Sequence, residues 1–241
     1  MIKAAIFDMD GTILDTVTDL THAMNYAMGQ AGHRCDFTGQ DTRFFFGSGA
    51  KVAVRRALFT ERGADADALL LVGTDKEPAE SLALMEETER ITAIFAPRYA
   101  AHCNEHTGPY PGIPAAIAVL RKAGIRTAVV SNKLDAAVQI LVRDLFPSLF
   151  DVSVGERPEV QRKPAPDMLN TALSILGVSA EDAVYIGDTE IDLATAKNSG
   201  LPFLCVTWGF RSESYLRSLG VRWFAPDAEA MAKELLAYSG A

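Results

Sequence analysis

Two aspartates directly after a short apolar stretch are the residues whose types and spacing best suit chemistry. Asp8 and Asp10 follow residues 3–7, which the pattern predicts to be a buried strand. Residues two apart in extended backbone point to one side, and buried carboxylates are costly unless a cation or a reaction needs them. Gly11 then permits a sharp turn, and Thr12 can hydrogen-bond around it. The pattern favours a nucleophile, a general acid/base and a metal-binding corner over a plain strand and turn.

The elements that must position these aspartates alternate in type along the second half of the chain. Apolar runs that predict strands alternate with amphipathic runs that predict helices. The predicted strands cover 125–130, 151–154, 183–186 and 203–207, and the predicted helices cover 113–123, 134–145, 166–176 and 191–199. Such alternation implies parallel pairing, and we predict an α/β fold, a three-layer sandwich around a Rossmann-like parallel sheet.

Residues 16–104 show a different pattern, because no convincing strand occurs between 15 and 105. Thr16 and Asp19 fit a capping box before an apolar stripe, and further helices are predicted at about 50–59 and 78–103. We therefore predict an all-helical domain at 16–104. It would be inserted into a core that comprises 1–15 and 105–241.

The carboxyl ends of the predicted strands collect further polar residues. In an open α/β sheet, ligands bind just beyond these ends. Ser131-Asn132-Lys133 follows one strand, Lys163 lies in the loop after the next, and Gly187-Asp188-Thr189 follows a third. Small hydroxyl or amide residues, one lysine and several acids are therefore predicted to gather at one edge of the sheet.

Four motifs at these ends, taken in order, resemble those of the haloacid dehalogenase (HAD) superfamily. They are Asp8-Met9-Asp10-Gly11-Thr12, Ser131-Asn132, Lys163-Pro164 and Gly187-Asp188-Thr189-Glu190-Ile191-Asp192. The helical insertion resembles the C1 cap of that family, which closes over a bound substrate. Phe46-Gly47-Ser48-Gly49 and Thr207-Trp208-Gly209-Phe210, among other segments, resemble the phosphoglycolate phosphatase-like members.

The resemblance implies a role for each motif residue. Asp8 would attack phosphorus and form an aspartyl-phosphate, and Asp10 would act as general acid and then general base. The acid at position 10 implies phosphoryl transfer, because dehalogenases of the family generally lack it. Lys163 would pair with Asp8 and a phosphate oxygen, while Ser131 and the backbone N–H of Asn132 would hold other phosphate oxygens.

The resemblance also implies a Mg²⁺ ion, since a phosphate that faces several carboxylates needs counter-charge. Asp8, the backbone carbonyl of Asp10 and Asp188 would bind the ion. Asp192, one turn later, would bind it directly or through water, although an acid is also favoured in a first helical turn. The backbone near Gly11 would offer N–H groups to the phosphate.

We therefore expect a Mg²⁺-dependent phosphatase of small phosphorylated metabolites, with 2-phosphoglycolate as the leading substrate. One alternative is β-phosphoglucomutase-like transfer of the phosphoryl group to a sugar. Another is inorganic pyrophosphatase activity. A catalytically silent HAD fold that only binds ligands is a further alternative of a different class, although all the expected catalytic residues are present.

Composition limits the partners and the compartment. The 241 residues carry a net charge of −8 without basic runs, which disfavours nucleic acid, and no apolar run approaches a membrane span. Three widely spaced cysteines and no cleavable signal pattern predict a cytoplasmic protein, as a monomer or homodimer. His102 and His106 have a spacing typical of metal ligands. No second ligand cluster accompanies them in the sequence, so we predict no zinc site there.

Overall fold

The computed structural model describes residues 2–238 and divides into two compact units. One unit comprises residues 2–15 together with 108–238, and the other is Thr16–Thr107. Among the described residues, no helix is both long and apolar enough to cross a membrane.

The first unit is built on a six-stranded sheet whose strand pairs are all parallel. Its strands, which stand in the order β5-β4-β1-β6-β7-β8, are β1 (Ala4–Phe7), β4 (Arg126–Leu134), β5 (Val152–Glu156), β6 (Ala183–Gly187), β7 (Phe203–Val206) and β8 (Phe224–Ala225). Two further short strands, β2 (Leu14–Asp15) and β3 (Gly108–Pro109), form an antiparallel pair. The predicted α/β class with a parallel sheet is confirmed.

Helices complete this unit, and most begin and end within two residues of the predicted bounds. They are α7 (Ile113–Lys122), α8 (Asp135–Leu145), α9 (Asp167–Leu176), α10 (Glu190–Ser199), α11 (Glu213–Ser218) and α12 (Ala228–Ala237), with a 3₁₀ turn at Ala180–Asp182. The sequence prediction missed α11, β8 and α12. It also ended β4 too early, because the strand continues through the polar residues to Leu134, with a shift of register between Val130 and Leu134.

Strand β1 lies in the middle of the sheet because all four of its residues are apolar and fully buried. Ala4 and Ile6 belong to the core that α9 and α10 help to form, while Ala5 and Phe7 are buried on the opposite face. Phe7 is in register with Val129 of β4 and Ile186 of β6. The carboxyl ends of these three neighbouring strands therefore meet at one edge.

The second unit contains only helices among its described residues. They are α1 (Val17–Gln30), α2 (Gly39–Phe45), α3 (Ala50–Glu61), α4 (Ala66–Leu71), α5 (Ala79–Leu82) and α6 (Met85–His102). The prediction of one long helix over 78–103 is wrong, since the chain there forms α5 and α6. The predicted capping box at Thr16 is also wrong, because the Thr16 side chain makes no capping hydrogen bond.

A buried arginine holds one loop of the helical unit. Arg56 is 1% exposed, and its guanidinium donates hydrogen bonds to the carbonyls of Phe44 (3.1 Å), Phe45 (3.2 Å) and Val72 (3.1 Å) and to Ser48 Oγ (3.3 Å). A guanidinium presents several donors in a fixed fork, which suits a set of backbone carbonyls. Arg56 thereby orders the turn after α2, where Gly47 and Gly49 adopt positive φ.

Candidate active site

The turn after β1 places Asp8 at the edge where the strands end. The Asp8 N–H continues the sheet by donating to the Ile186 carbonyl (2.8 Å), and the side chain is buried. Gly11 adopts φ +85°, and a Cβ there would lie 2.3 Å from Oδ2 of Asp188. Glycine is therefore required at position 11 both for the turn and for the close approach of Asp188.

Lys163 lies between two buried carboxylates. Its Nζ donates to Asp8 Oδ1 (2.7 Å), Asp192 Oδ1 (2.8 Å) and the Tyr185 hydroxyl (2.9 Å), so all three ammonium hydrogens are used. Among the described residues, Oδ2 of Asp8 has no hydrogen-bond partner. Lys163 thus fixes one oxygen of Asp8 and leaves the other for a ligand or a reaction.

Asp188, at the end of β6, is held by both of its oxygens. Thr12 Oγ1 donates to Oδ1 (2.8 Å), and the backbone N–H of Phe210 donates to Oδ2 (2.6 Å). A Cβ at Gly209 would lie 2.3 Å from that same Oδ2, so the chain passes Asp188 more closely than any other residue would permit. One oxygen of each of Asp8, Asp188 and Asp192 lies within 4.8 Å of the others.

Asp192 has more hydrogen-bond donors around it than any of the other acids. Its Oδ1 accepts from Lys163 Nζ and the Tyr185 hydroxyl (2.8 Å each). Its Oδ2 accepts from the N–H of Asp188 (3.2 Å) and from the N–H (3.1 Å) and hydroxyl (2.7 Å) of Thr189. With Thr189, Asp192 forms the capping box of α10. Two interpretations of Asp192 came from the sequence, as an acid of the first helical turn and as a member of the acidic site. Both describe it, since it takes part in the capping box and belongs to the acidic cluster.

The side chain of Asn132 holds the backbone of Lys163. Its side-chain amide donates to the Lys163 carbonyl (3.1 Å) and accepts from the Lys163 N–H (2.8 Å). Ser131 is 2% exposed, and its Oγ accepts from the N–H of Lys133 (3.2 Å). The two residues predicted to hold phosphate therefore also organise the backbone around two lysines.

Asp10 stands apart from the three clustered acids. Its carboxylate, with the side chain 21% exposed, pairs with Nζ of Lys133 at 3.0 Å, and Lys133 is itself buried. This pair is a second fixed carboxylate–ammonium contact beside that of Asp8 and Lys163. Sequence reasoning gave Lys133 no role, although its place directly after Ser131-Asn132 was a signal that could have assigned one.

The cluster holds more negative charge than its cation balances. Burial, followed by the charge of Asp192, raises the pKa of Asp8 well above its usual value, and Lys163 only partly opposes this. Burial and Asp192 also raise the pKa of Asp188 to about 7. Burial works against ionisation of Asp192 too, but Lys163 and the hydrogen bonds of Asp192 lower its pKa. Asp192 and Lys163 therefore stay ionised. The negative charge that Lys163 does not balance disfavours the ionised forms of Asp8 and Asp188.

The donor set and the surplus charge fit a hard divalent cation. Mg²⁺ prefers carboxylate oxygens, and the cluster presents three buried carboxylates against one ammonium group. Oδ2 of Asp8 accepts no hydrogen bond from the described residues, and each oxygen of Asp188 accepts only one, so both carboxylates can still accept a ligand. Asp192 already accepts five hydrogen bonds, which suits a residue that orients its neighbours.

Several residues at the site were missed from the sequence. The Tyr185 hydroxyl bridges Lys163 and Asp192, and burial raises the pKa of Tyr185 well above its usual value, so it stays a donor. The backbone N–H of Phe210 orients Asp188, and the side chain of Thr12, which was expected to hydrogen-bond around its own turn, donates to Asp188 instead. Tyr185 could have been noted as the one polar side chain in the strand before Gly187-Asp188.

Comparisons with known proteins identify the family of the chain. The family model described as haloacid dehalogenase-like hydrolase matches residues 5–206. A phosphoglycolate phosphatase of Cereibacter sphaeroides is 33% identical, with 87% of each chain covered. One from Rhodospirillum rubrum is 32% identical, with 91% of this chain and 85% of the relative covered.

A solved structure from the same group of proteins has the same fold. The crystal structure of a protein from Lactobacillus delbrueckii subsp. bulgaricus, named "putative phosphoglycolate phosphatase", superposes with a TM-score of 0.96. The identity is 48%, over 99% of this chain and 100% of that one. The chain therefore belongs to the haloacid dehalogenase-like hydrolase family, as an enzyme similar to the phosphatases of that family.

Proposed function

We propose that this enzyme hydrolyses phosphomonoesters of small metabolites, with 2-phosphoglycolate as the leading substrate. The observation that carries the proposal is Asp8, which has one oxygen fixed by Lys163 and the other without a hydrogen-bond partner among the described residues. A nucleophile held in this way needs little further ordering to meet phosphorus in line. The choice of 2-phosphoglycolate is supported by the names of the relatives.

The first step breaks the phosphorus–oxygen ester bond. Oδ2 of Asp8 attacks phosphorus, and the departing alcohol oxygen takes a proton from Asp10, so that Asp8 carries the phosphoryl group. The ammonium group of Lys163 lies 2.7 Å from the carboxylate of Asp8, and that of Lys133 lies 3.0 Å from the carboxylate of Asp10. The charge on both carboxylates changes during this step, so both ammonium groups act where charge develops.

The second step restores the enzyme. Asp10 accepts a proton from a water molecule whose oxygen attacks phosphorus, and the bond to Asp8 breaks to release inorganic phosphate. Ser131 and the backbone N–H of Asn132 are proposed to hold the remaining phosphate oxygens. Asn132 also keeps the backbone of Lys163 in place through its side-chain amide.

We propose Mg²⁺ as the cofactor, bound by Asp8, Asp188 and the backbone carbonyl of Asp10. When bound, the ion supplies the positive charge that lets a phosphate dianion approach these acids. We assign Asp192 to positioning, since it fixes Lys163 and the backbone at 188–189 with hydrogen bonds it would have to give up to become a ligand.

The inserted helices are also part of the proposal. We propose a C1-type cap at 16–104 and a catalytic core of 1–15 and 105–241, in a cytoplasmic enzyme. The cap would supply the specificity contacts, so the substrate has to be identified by assay.

The test is phosphate release from a panel of phosphorylated metabolites, with Mg²⁺ and with excess EDTA. We expect a Mg²⁺-dependent preference for 2-phosphoglycolate, which is lost in Asp8→Asn and kept in Asp144→Asn. Asp144 is an exposed aspartate of α8, so its variant is a matched control for the chemical change. A preference for sugar phosphates or for pyrophosphate would replace the substrate assignment. Turnover that survives in Asp8→Asn would overturn the nucleophile.

A further inference from the structure

A second set of metal-ligating side chains lies within the helical unit, apart from the acidic cluster. Asp19 stands in the first turn of α1, His22 follows on the same helix, and His106 lies beyond the end of α6. One ligand atom from each of these residues lies within 4.8 Å of those of the other two. Two imidazoles and one carboxylate are a common ligand set for divalent transition metals.

The Asp19 carboxylate is fixed by the end of the unit's chain. Asp19 is 3% exposed, and its Oδ2 accepts from the N–H (2.9 Å) and hydroxyl (2.8 Å) of Thr107. The N–H of His106 lies 3.0 Å from both oxygens. Burial alone would raise the pKa of Asp19, but these hydrogen bonds lower it, so the carboxylate is ionised and oriented.

The two histidines face each other beside this carboxylate. Their rings are 5.2 Å apart with an interplanar angle of 88°, and Nδ1 of His106 lies 2.8 Å from Oδ1 of Asp19. Both side chains are exposed, so an ion can reach them from solvent.

His22 differs from the other histidines of the chain. Within residues 2–238, neither of its ring nitrogens makes a hydrogen bond. His33 uses both nitrogens on Glu61 and Glu87, and His102 uses both on Arg98 and Glu105. The spacing of His102 and His106 in the sequence is therefore misleading, because the partners of His106 come from α1.

We propose that Asp19, His22 and His106 bind one divalent transition-metal ion, with Zn²⁺ as the biological candidate and water at the remaining positions. The ion takes the place of the hydrogen bond between Nδ1 of His106 and Asp19, and the neutral imidazole then carries its proton on Nε2. Imidazole ligands select Zn²⁺ over Mg²⁺, so this site and the acidic cluster differ in preference. A bound ion cross-links the first turn of α1 to residue 106, and therefore stabilises the unit.

The test is a titration of the metal-free full chain with Zn²⁺ by calorimetry and with Co²⁺ by visible absorption, in excess Mg²⁺. We expect His22→Ala to weaken binding at least about tenfold, since the loss of even an outer partner of a metal site costs about 10–100-fold. His102→Gln, a histidine outside the cluster, should bind as the wild type does. Zn²⁺ should raise the melting temperature of the wild type and of His102→Gln but not of His22→Ala.

A second background separates the two candidate metal sites. Asp188→Asn removes an acid of the active-site cluster, and Zn²⁺ binding at the proposed site should survive this change. Binding that is lost in Asp188→Asn and unchanged in His22→Ala would place the ion at the acidic cluster only and overturn the proposal. Equal affinities in the wild type and His22→Ala would overturn it as well. Neither result depends on which substrate the enzyme hydrolyses.

Discussion

Replacing the proposed nucleophile by its neutral isostere should abolish turnover and yet stabilise the metal-free protein. With an effective dielectric constant of about 20, the 2.7 Å contact between Asp8 and Lys163 contributes roughly 6 kcal/mol of attraction. Asp192, within 4.8 Å, contributes roughly 3.5 kcal/mol of repulsion or more, and Asp188, at a similar distance and with a pKa of about 7, adds repulsion to the extent that it is ionised. Attraction and repulsion therefore nearly cancel, and the cost of burying the carboxylate is left without compensation.

We expect Asp8→Asn to raise the free energy of unfolding by about 2 kcal/mol in EDTA at neutral pH, because the desolvation of a buried ion costs several kcal/mol. The asparagine oxygen can still accept from Lys163, so the ammonium keeps its partners. Urea unfolding followed by tryptophan fluorescence measures this directly, since both tryptophans, Trp208 and Trp223, lie in the unit that contains the site.

Mg²⁺ should reverse this difference. At a concentration about 100-fold above its dissociation constant, an ion stabilises the folded wild type by about 2.7 kcal/mol, and the variant with a weakened site gains less. The control is Asp10→Asn, which makes the same chemical change in a carboxylate that is paired with Nζ of Lys133. Asp10→Asn should lower stability and also remove activity. If Asp8→Asn were destabilised in EDTA to the same extent as Asp10→Asn, the inferred surplus of negative charge would be wrong.

Three further changes test other parts of the structure. Gly209→Ala places a Cβ 2.3 Å from Oδ2 of Asp188, so we expect Mg²⁺ affinity in calorimetry to fall by about 10–100-fold with the fold retained. Burial opposes protonation of His33, but hydrogen bonds to two glutamates raise its pKa, so its contribution to stability is complete below the unfolded pKa of about 6.5 and is lost as the pH rises through the folded value. Urea unfolding of His33→Gln and the wild type should therefore differ at pH 6 and converge at high pH. Arg56→Met should cost about 3 kcal/mol in thermal or urea unfolding, because buried carbonyls lose their donor, whereas the exposed Arg62→Met should change stability little.

Much of the core could be predicted because its local signals agree with its packing. The run of apolar residues in β1 and the regular alternation after residue 109 identify strands that are buried on both faces. Strand β8 was missed because it has only two residues. Helix α12 does carry a helical signal that was overlooked, since its buried residues Ala228, Met231, Ala232 and Leu235 stand at helical spacing after the N-cap Asp227. The division of 78–103 into α5 and α6 was missed because the apolar pattern continues across the break.

The site was less predictable because its contacts join residues that are far apart in the chain. The motifs indicate Asp8 and Lys163, but the amide of Asn132 that holds the lysine backbone acts across 31 residues. Asp19 shows the same limit. Its spacing from Thr16 indicates a capping box, yet donors at residues 106 and 107 bind it instead. Tertiary packing decides which donors form hydrogen bonds with a carboxylate, whereas a sequence pattern indicates only the donors that are nearby in the chain.

The short antiparallel pair of β2 and β3 has an evolutionary consequence. Leu14 pairs with Pro109 and Asp15 with Gly108, so the chain leaves the core and returns to it at hydrogen-bonded neighbours. The entropy of closing a loop grows only with the logarithm of its length, and each doubling costs about 0.6 kcal/mol. Insertions, deletions and whole exchanges of helices between Asp15 and Gly108 therefore leave the register of the parallel sheet intact. Lineages can diversify this segment while the chemistry at the strand ends stays under separate selection.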